Sequence, residues 1–363
     1  MSLPKSLPSS RIKPASDAPV IRWGILGSGW IAEKFIESVR AHTKQNIVAV
    51  GSRDKQRAEQ FASRMDLEKA YGNYDELVAA SDLDVIYVAT PHNLHHEGVT
   101  LALNAGKHVL VEKPIALNRA QTLEMVELAR RQSRFFAEAL WTFYLPKFDV
   151  LRQLLEAKAI GEIKSVFTDY GEYFTRDHRI FDPKLAGGPL LDLGTYQVSF
   201  LTEIFGVPKA VNGVSQFDPS GVHGQLSAIL TDADANQGMF WTTLNGFTPT
   251  NAIIVGTEGT IQFDRNFHLP GPFTASSADG SQTLRYEEAS GRHFEGLYYE
   301  AAEVARCISA GKLETPYRTL NASLKLLSGG EIISHEELRG VNIETSSRRV
   351  TQLLFLSANL SQK

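Results

Sequence analysis

The stretch VIRWGILGSGWIAEKFIESVR, residues 20–40, decides the fold. Ile21 to Leu26 is a short apolar run with strand character, and Gly27-Ser28-Gly29 breaks it. Beyond the break Ile31, Phe35 and Val39 recur at helical spacing. Gly27, Ser28, Gly29, Trp30, Ile31 and Ala32 together match G-x-G-x-x-G/A. In that pattern the first glycine makes a tight turn and the second lets the backbone approach a pyrophosphate. Free N–H groups at the helix start complement the phosphate charge. Alone the pattern is weak, and an ordinary strand-to-helix turn is the alternative. Its place inside a strand-turn-helix unit gives it meaning.

Outward from this stretch, strands and helices alternate. NIVAVGSRD (46–54), LDVIYVATPHNLH (83–95) and KHVLVEK (107–113) read as strands and their exits. Helical segments follow from about Gln56 to Met65, over HHEGVTLALNAG (95–106) and over NRAQTLEMVELARRQS (118–133). The strands are continuous apolar runs, as expected of a parallel sheet covered by helices on both faces. The second strand ends in Ser52-Arg53-Asp54, with Arg57 one turn further on. An acidic residue at that point would receive the ribose hydroxyls of NAD. Here Ser52, Arg53 and Arg57 offer a hydroxyl and two guanidinium groups to a 2′-phosphate, so NADP is expected rather than NAD. Surface arginines at a helix start remain the alternative, and Asp54 is placed to cap that helix.

The chain has 363 residues, 43% hydrophobic and 21% charged, with a formal net charge of −4. Two domains are expected. No basic run points to nucleic acid or an anionic membrane, and no apolar run nears the roughly 18 residues of a membrane helix. Cys307 stands alone, which excludes an internal disulfide and a cysteine-based zinc site and suits a reducing cytoplasm. Residues 1–19 lack an apolar signal core and are rich in Pro and Ser, so they read as a mobile or extended arm. The remaining boundaries fall at 20–140 for an α/β domain with a parallel sheet and 141–363 for an α+β domain.

Thr90, Pro91, His92, His95 and His96 cluster at the carboxyl end of a strand. No carboxylate or cysteine pattern completes a converging ligand set, so no metal is expected. In open α/β sheets that edge is where ligands bind, which places Thr90, Pro91 and His92 beside a cofactor. His95 is expected to touch cofactor or substrate, and His96 to be solvated. On the neighbouring strand Glu112-Lys113-Pro114 reaches the same edge. An ammonium there can hydrogen-bond a substrate hydroxyl or a ribose and manage its proton, while Pro114 stiffens the turn, with a cis bond as one way to do so. A surface lysine at a loop start is the alternative that the residues leave open.

After LWTFYLPKFDVLRQLLE (140–156) the pattern changes to alternating strands joined by Gly or Asp turns. A large, mainly antiparallel sheet with one face open is expected. FDPKLAGGPLLDLGTYQVSFL (181–201) interrupts it with a helix on which Asp192 and Tyr196, four apart, share a face. A carboxylate and a phenol aimed at a lysine make a proton relay, since a nearby cation favours phenolate. An acidic first helical turn beside a half-buried tyrosine is the plainer alternative.

GSGWIA, VATPHNLHHE, AGKHVLVEKPIAL and EALWTFYLP, in this order and spacing, resemble the Gfo/Idh/MocA oxidoreductases. Among these they are similar to the group of dimeric trans-dihydrodiol dehydrogenase and NADP-dependent D-xylose dehydrogenase. The resemblance runs densely from about Ile21 to Phe205. It implies that Lys113 is catalytic, and that Trp141 walls the nicotinamide and substrate. Asp192 and Tyr196 match the D-x-x-x-Y of that group, where relatives acting on inositols carry His in place of Tyr196. Tyr170 aligns with an aromatic near the substrate, with a buried sheet aromatic as the alternative. Phe143 stands where the group has arginine, which alters the expected substrate wall. The implied activity is hydride transfer between NADP and a sugar or cyclic diol, as in oxidation of an aldose to its lactone or of a trans-dihydrodiol. The implied assembly is a homodimer or higher homo-oligomer through the open sheet. Two rivals share the fold: an enzyme that keeps NADP bound between two sugars, and a non-catalytic nucleotide-bound regulator.

Overall fold

A computed structural model describes residues 3–288 and 294–335, which divide into two compact units. Of the described residues, the first unit comprises 10–149 and 294–323, and the second 3–9, 150–288 and 324–335.

In the first unit β1 (Arg22–Leu26), α1 (Trp30–His42), β2 (Asn46–Gly51), α2 (Lys55–Arg64), β3 (Lys69–Tyr71) and α3 (Tyr74–Ala79) follow one another. Then come β4 (Val85–Val88), α4 (His95–Asn104), β5 (His108–Glu112), α5 (Arg119–Arg131) and β6 (Phe136–Ala139). Among the described residues the six strands form one sheet in the order β3-β2-β1-β4-β5-β6. Every neighbouring pair is parallel. The order reverses between β1 and β4, and at such a switch point the strand ends open a crevice for a ligand. Val85 to Val88 and Val109 to Val111 have no exposed surface, as strands covered on both faces require.

A turn of 3₁₀ helix over Trp141–Tyr144 leads to α6 (Pro146–Glu156). The second unit continues with β7 (Ile163–Gly171), α7 (Pro189–Asp192), α8 (Gly194–Phe205), β8 (Ala210–Phe217), β9 (His223–Thr231) and β10 (Gln237–Thr243). It adds β11 (Ala252–Gly256), β12 (Gly259–Phe263), β13 (Phe273–Ser277) and β14 (Thr283–Tyr286). These eight strands make a sheet in the order β14-β13-β12-β11-β7-β10-β9-β8, antiparallel except for β7 beside β10. One face carries Val166, Tyr170, Leu226 and Phe240, buried beneath α8. The other exposes Phe167, Ile229 and Trp241 around a groove of about 640 Å³. The last elements among the described residues are α9 (Leu297–Ser309) and α10 (Leu320–His335).

Two expectations are corrected. Residues 294–323 belong to the first unit, because the apolar stripe of α9 packs on α1 and on the Trp141–Tyr144 turn. The N-terminal arm, read as mobile or extended, is held in place over residues 3–19 and makes a 3₁₀ turn at Ala15–Asp17. Leu3 is buried, and Gln282 and Gln153 donate to the carbonyls of Pro4 and Ser9 at 2.6 and 3.0 Å. Arg11 grips the buried Asp149 with its backbone N–H at 2.6 Å and its guanidinium at 2.7 and 2.9 Å.

Inside the first unit Glu138 has no exposed surface. Its Oε1 accepts the N–H of Ile115 at 3.0 Å, and its Oε2 accepts Arg318 at 2.9 Å and the Ser323 hydroxyl at 2.6 Å. Arg318 is itself 1% exposed. Glu138→Ala strands that guanidinium without its carboxylate, so chemical unfolding should show a loss of about 3–5 kcal/mol. A loss below about 1 kcal/mol, the range of an exposed ion pair, would contradict this.

Candidate active site

The glycine turn is built for close approach. Gly27 has φ +112°, and a Cβ there would lie 2.7 Å from the Ala89 carbonyl oxygen. A Cβ on Gly29 would meet nothing nearer than 4.0 Å, so the space over the second glycine is open. Gly29 is also the N-cap of α1, which presents its first N–H groups beside that space. Ser28, Trp30 and Ile31 complete the turn, with Trp30 exposed. This arrangement fits the pyrophosphate of a dinucleotide.

At the end of β2 Ser52 is buried, while Arg53 and Arg57 are exposed. Asp54 caps α2 by accepting the Arg57 N–H at 2.9 Å, as its place in the sequence predicts. Tyr74, in the first turn of α3, lies beside both guanidinium groups and accepts from Arg53. Burial raises the Tyr74 phenol, and the two arginines oppose that rise. Sequence reasoning missed Tyr74; its position after the Asn73 cap of a short helix carried no cue.

At the ends of β4 and β5, Thr90, His92 and Glu112 are buried and Pro91 and Lys113 half-buried. The Lys113–Pro114 peptide is cis. Glu112 accepts the Tyr87 hydroxyl and, at 3.2 Å, the Lys113 N–H. His92 lies edge-on to His95, ring centroids 5.7 Å apart, and His96 pairs with Glu124 at 3.0 Å. His95 departs from its expected role. It has no exposed surface, and its two nitrogens lie 2.8 Å from the Pro114 carbonyl and 2.9 Å from that of Thr90. No polar edge is left for a ligand.

Trp141 is 2% exposed, its ring stacked at 6.2 Å on Phe294, which meets Trp30 of the glycine turn edge-on at 4.5 Å. Phe294 holds φ +70°, an unusual conformation for a bulky residue and a mark of a constrained site. Phe143 is corrected too. It is buried under the Arg318 guanidinium, 5.3 Å from its ring, and against Phe148, and forms interior rather than a substrate wall. Glu300 of α9 is wholly buried, and neither carboxyl oxygen has a hydrogen-bond partner among the described residues. Burial, then Glu112 and Glu138, push its carboxyl well above the usual range.

In the second unit the helix expected to carry both Asp192 and Tyr196 is two helices. Asp192 ends α7, and Tyr196 lies in the first turn of α8 beyond Leu193. Asp192 pairs with Arg179 at 3.0 Å. Tyr196 and Tyr170 are buried with ring centroids 6.0 Å apart, and His268 lies 4.6 Å from Tyr170 and 4.8 Å from Tyr196. Burial, then Tyr196, Glu172 and Asp192, push the Tyr170 phenol well above its ordinary value. His268, buried in the connection after β12, was missed because nothing in NFHLPGP marks it as facing these rings. Asp192, Tyr196 and Tyr170 thus gather in one unit, and Lys113, Trp141 and the glycine turn in the other.

Comparison with known proteins places both units. The model described as "Oxidoreductase family, NAD-binding Rossmann fold" of GFO/IDH/MocA matches residues 21–139, and the GFO/IDH/MocA C-terminal domain matches 148–262. The chain is similar to trans-1,2-dihydrobenzene-1,2-diol dehydrogenase of Mus musculus, 35% identical, and of Bos taurus, 34% identical. Each alignment spans 82% of this chain and 90% of the relative. Among solved structures it resembles a 3-ketoreductase from Actinomadura kijaniata in complex with NADP and TDP-benzene. That match has TM-score 0.75 at 24% identity and covers 85% of this chain and 95% of the other. A levoglucosan dehydrogenase in complex with NADH and levoglucosan has TM-score 0.78 at 19% identity, covering 87% and 96%. These two show the fold.

Burial, the largest effect, pushes His95 down from 6.5 to about 4, against the two carbonyl contacts and Glu138, which raise it. Between those values the unfolded chain binds a proton that the folded chain does not. Stability from this group is therefore full above about pH 6.5 and falls as pH drops towards 4. The fall should reach roughly 3 kcal/mol, at 1.36 kcal/mol for each pKa unit. Denaturant titrations from pH 7 to 4.5 should show a shallower fall in His95→Gln; equal slopes would contradict the assignment.

Proposed function

Because this chain belongs to the Gfo/Idh/MocA oxidoreductases, we propose that it is an NADP-dependent dehydrogenase whose substrate is a sugar or a cyclic diol. The observation that carries the reading is the turn at Lys113. It puts an ammonium group at the carboxyl edge of the parallel sheet, one strand from the crevice at the β1/β4 switch point. NADP would be held along Gly27, Ser28, Gly29, Trp30 and Ile31, with Thr90, Pro91, His92, Glu112 and Pro114 along the same edge. Its 2′-phosphate would meet Ser52, Arg53 and Arg57, with Tyr74 steadying Arg53. When bound, the nicotinamide supplies the hydride acceptor.

The protein handles the proton. As the carbinol C–H electrons leave as hydride, the hydroxyl proton passes to Tyr196 as its phenolate, and Lys113 stabilises the charge on the reacting oxygen. Asp192, held by Arg179, orients the groups around it. Trp141 and Tyr170 supply apolar walls that keep water from the transferring hydride. Aldoses such as D-xylose, oxidised at C1 to the lactone, and trans-dihydrodiols are the substrate classes. The lone, buried Cys307 suits a cytoplasmic protein.

The second reading is permanent NADP retention by an enzyme that shuttles hydride between two sugars, or by a non-catalytic regulator. One assay decides: absorbance of reduced nicotinamide with NADP or NAD, aldoses, inositols and trans-diols, comparing wild type with Lys113→Ala and Arg53→Ala. Substrate-dependent NADP reduction should fall on the order of 10²–10⁴-fold in Lys113→Ala. Arg53→Ala should weaken NADP far more than NAD. Tight NADP binding with no turnover would favour the second reading.

The same family membership supports a homodimer through the exposed face of the eight-stranded sheet. Phe167, Ile229 and Trp241 form a contiguous apolar surface there, of a kind that marks interaction sites. Sedimentation of wild type should give a dimer and of Trp241→Lys a monomer; a monomeric wild type rules the assembly out.

A further inference from the structure

A carbonyl oxygen only accepts, so a ring nitrogen in a hydrogen bond to one must carry a proton. His95 sets each ring nitrogen against a carbonyl, Nδ1 at 2.8 Å from Pro114 and Nε2 at 2.9 Å from Thr90. The two carbonyls belong to the segments leaving β4 and β5, and that of Pro114 directly follows Lys113. On the far side of Pro114 the Ile115 N–H is already tied to Glu138. The ring therefore closes a brace around three consecutive residues, of which only Lys113 is half-exposed.

We propose that His95 is a positioning residue for Lys113: its Nδ1–H fixes the Pro114 carbonyl and so aims the ammonium-bearing side chain at the reacting oxygen. The inference rests on the reading of Lys113 given above. His95 touches neither cofactor nor substrate and acts through Pro114. A neutral ring has one proton for two carbonyls, and the positioning role requires it on Nδ1. The Thr90 carbonyl gains a donor only when a second proton arrives. The groups facing the ring divide over that second proton. Lys113 at the end of β5 opposes it, and Glu138 on β6, itself bound by Arg318, favours it. His92 lies edge-on.

The test compares full-length wild type, His95→Leu and His95→Gln. The leucine variant should lose on the order of a hundredfold in kcat, the size of effect expected when a reacting group is misplaced by about 1 Å, with NADP affinity unchanged. The glutamine variant, whose amide can donate to Pro114, should recover most of that loss. Nitrogen NMR of the wild-type imidazole should find the proton on Nδ1 throughout the neutral range. A leucine variant that binds NADP weakly at unchanged kcat would make His95 a cofactor contact and overturn the proposal. Equal losses in both variants would reduce it to packing, and a proton on Nε2 would tie Thr90 instead. If wild type turns over no substrate, the dehydrogenase reading fails by itself, and the NMR result still decides which carbonyl the ring holds. That result also stands if the leucine variant does not fold.

Discussion

The carboxylate of Glu138 is the interaction on which the first unit depends. A charge without solvent is tolerable only when paired and fully hydrogen-bonded. Glu138 meets that demand with partners from three parts of the chain: Ile115 just beyond the cis proline, Arg318, and Ser323. Satisfying one buried charge thus locks β6, the turn after β5 and the returning C-terminal segment together. The surroundings are unusually acidic, since Glu112 and Glu300 are buried as well. Arg318 offsets one negative charge, and burial pushes the Glu300 carboxyl well above its usual range. The same guanidinium lies over Phe143, so an aromatic in place of the arginine usual in the resembling group finds its role in this interior cluster.

Local chemistry made much of this legible from the residues. The glycine turn, the continuous apolar strands, the Asp54 cap and the cis bond at Pro114 each depend on a few adjacent residues, and each stands where the pattern puts it. Features set by distant parts of the chain were not legible. β3 is a short edge strand with too little apolar content to register, and β13, FTASS, has the same weakness. β6 reads FAEA, where a glutamate breaks the apolar run because its partners lie some 180 residues away. The return of residues 294–323 to the first unit is likewise a tertiary fact. The stripe on α9 shows in the sequence, but not which surface it meets.

The candidate site divides in the same way. Residue type and spacing singled out Lys113, Asp192, Tyr196 and the two arginines after β2. They did not reveal Tyr74 beside those arginines, His268 against Tyr170 and Tyr196, or Phe294 between Trp30 and Trp141. Each of these is an aromatic or imidazole ring in a connection or a first helical turn, where periodicity is silent. His95 was singled out for the wrong reason. Three closely spaced histidines at a ligand-binding edge suggested contact with a ligand, whereas burial and two carbonyl neighbours make it part of the scaffold.

The central proposal is that the Lys113 ammonium, at the carboxyl edge of the parallel sheet, acts on the reacting substrate oxygen. The most direct measurement is a crystal structure of the ternary complex with NADP and an unreactive substrate analogue. The account predicts Lys113 Nζ within about 3.2 Å of the analogue oxygen that stands for the reacting one, the reach of a proton-transferring group. A reacting oxygen that lies more than a water away from Lys113 would contradict it.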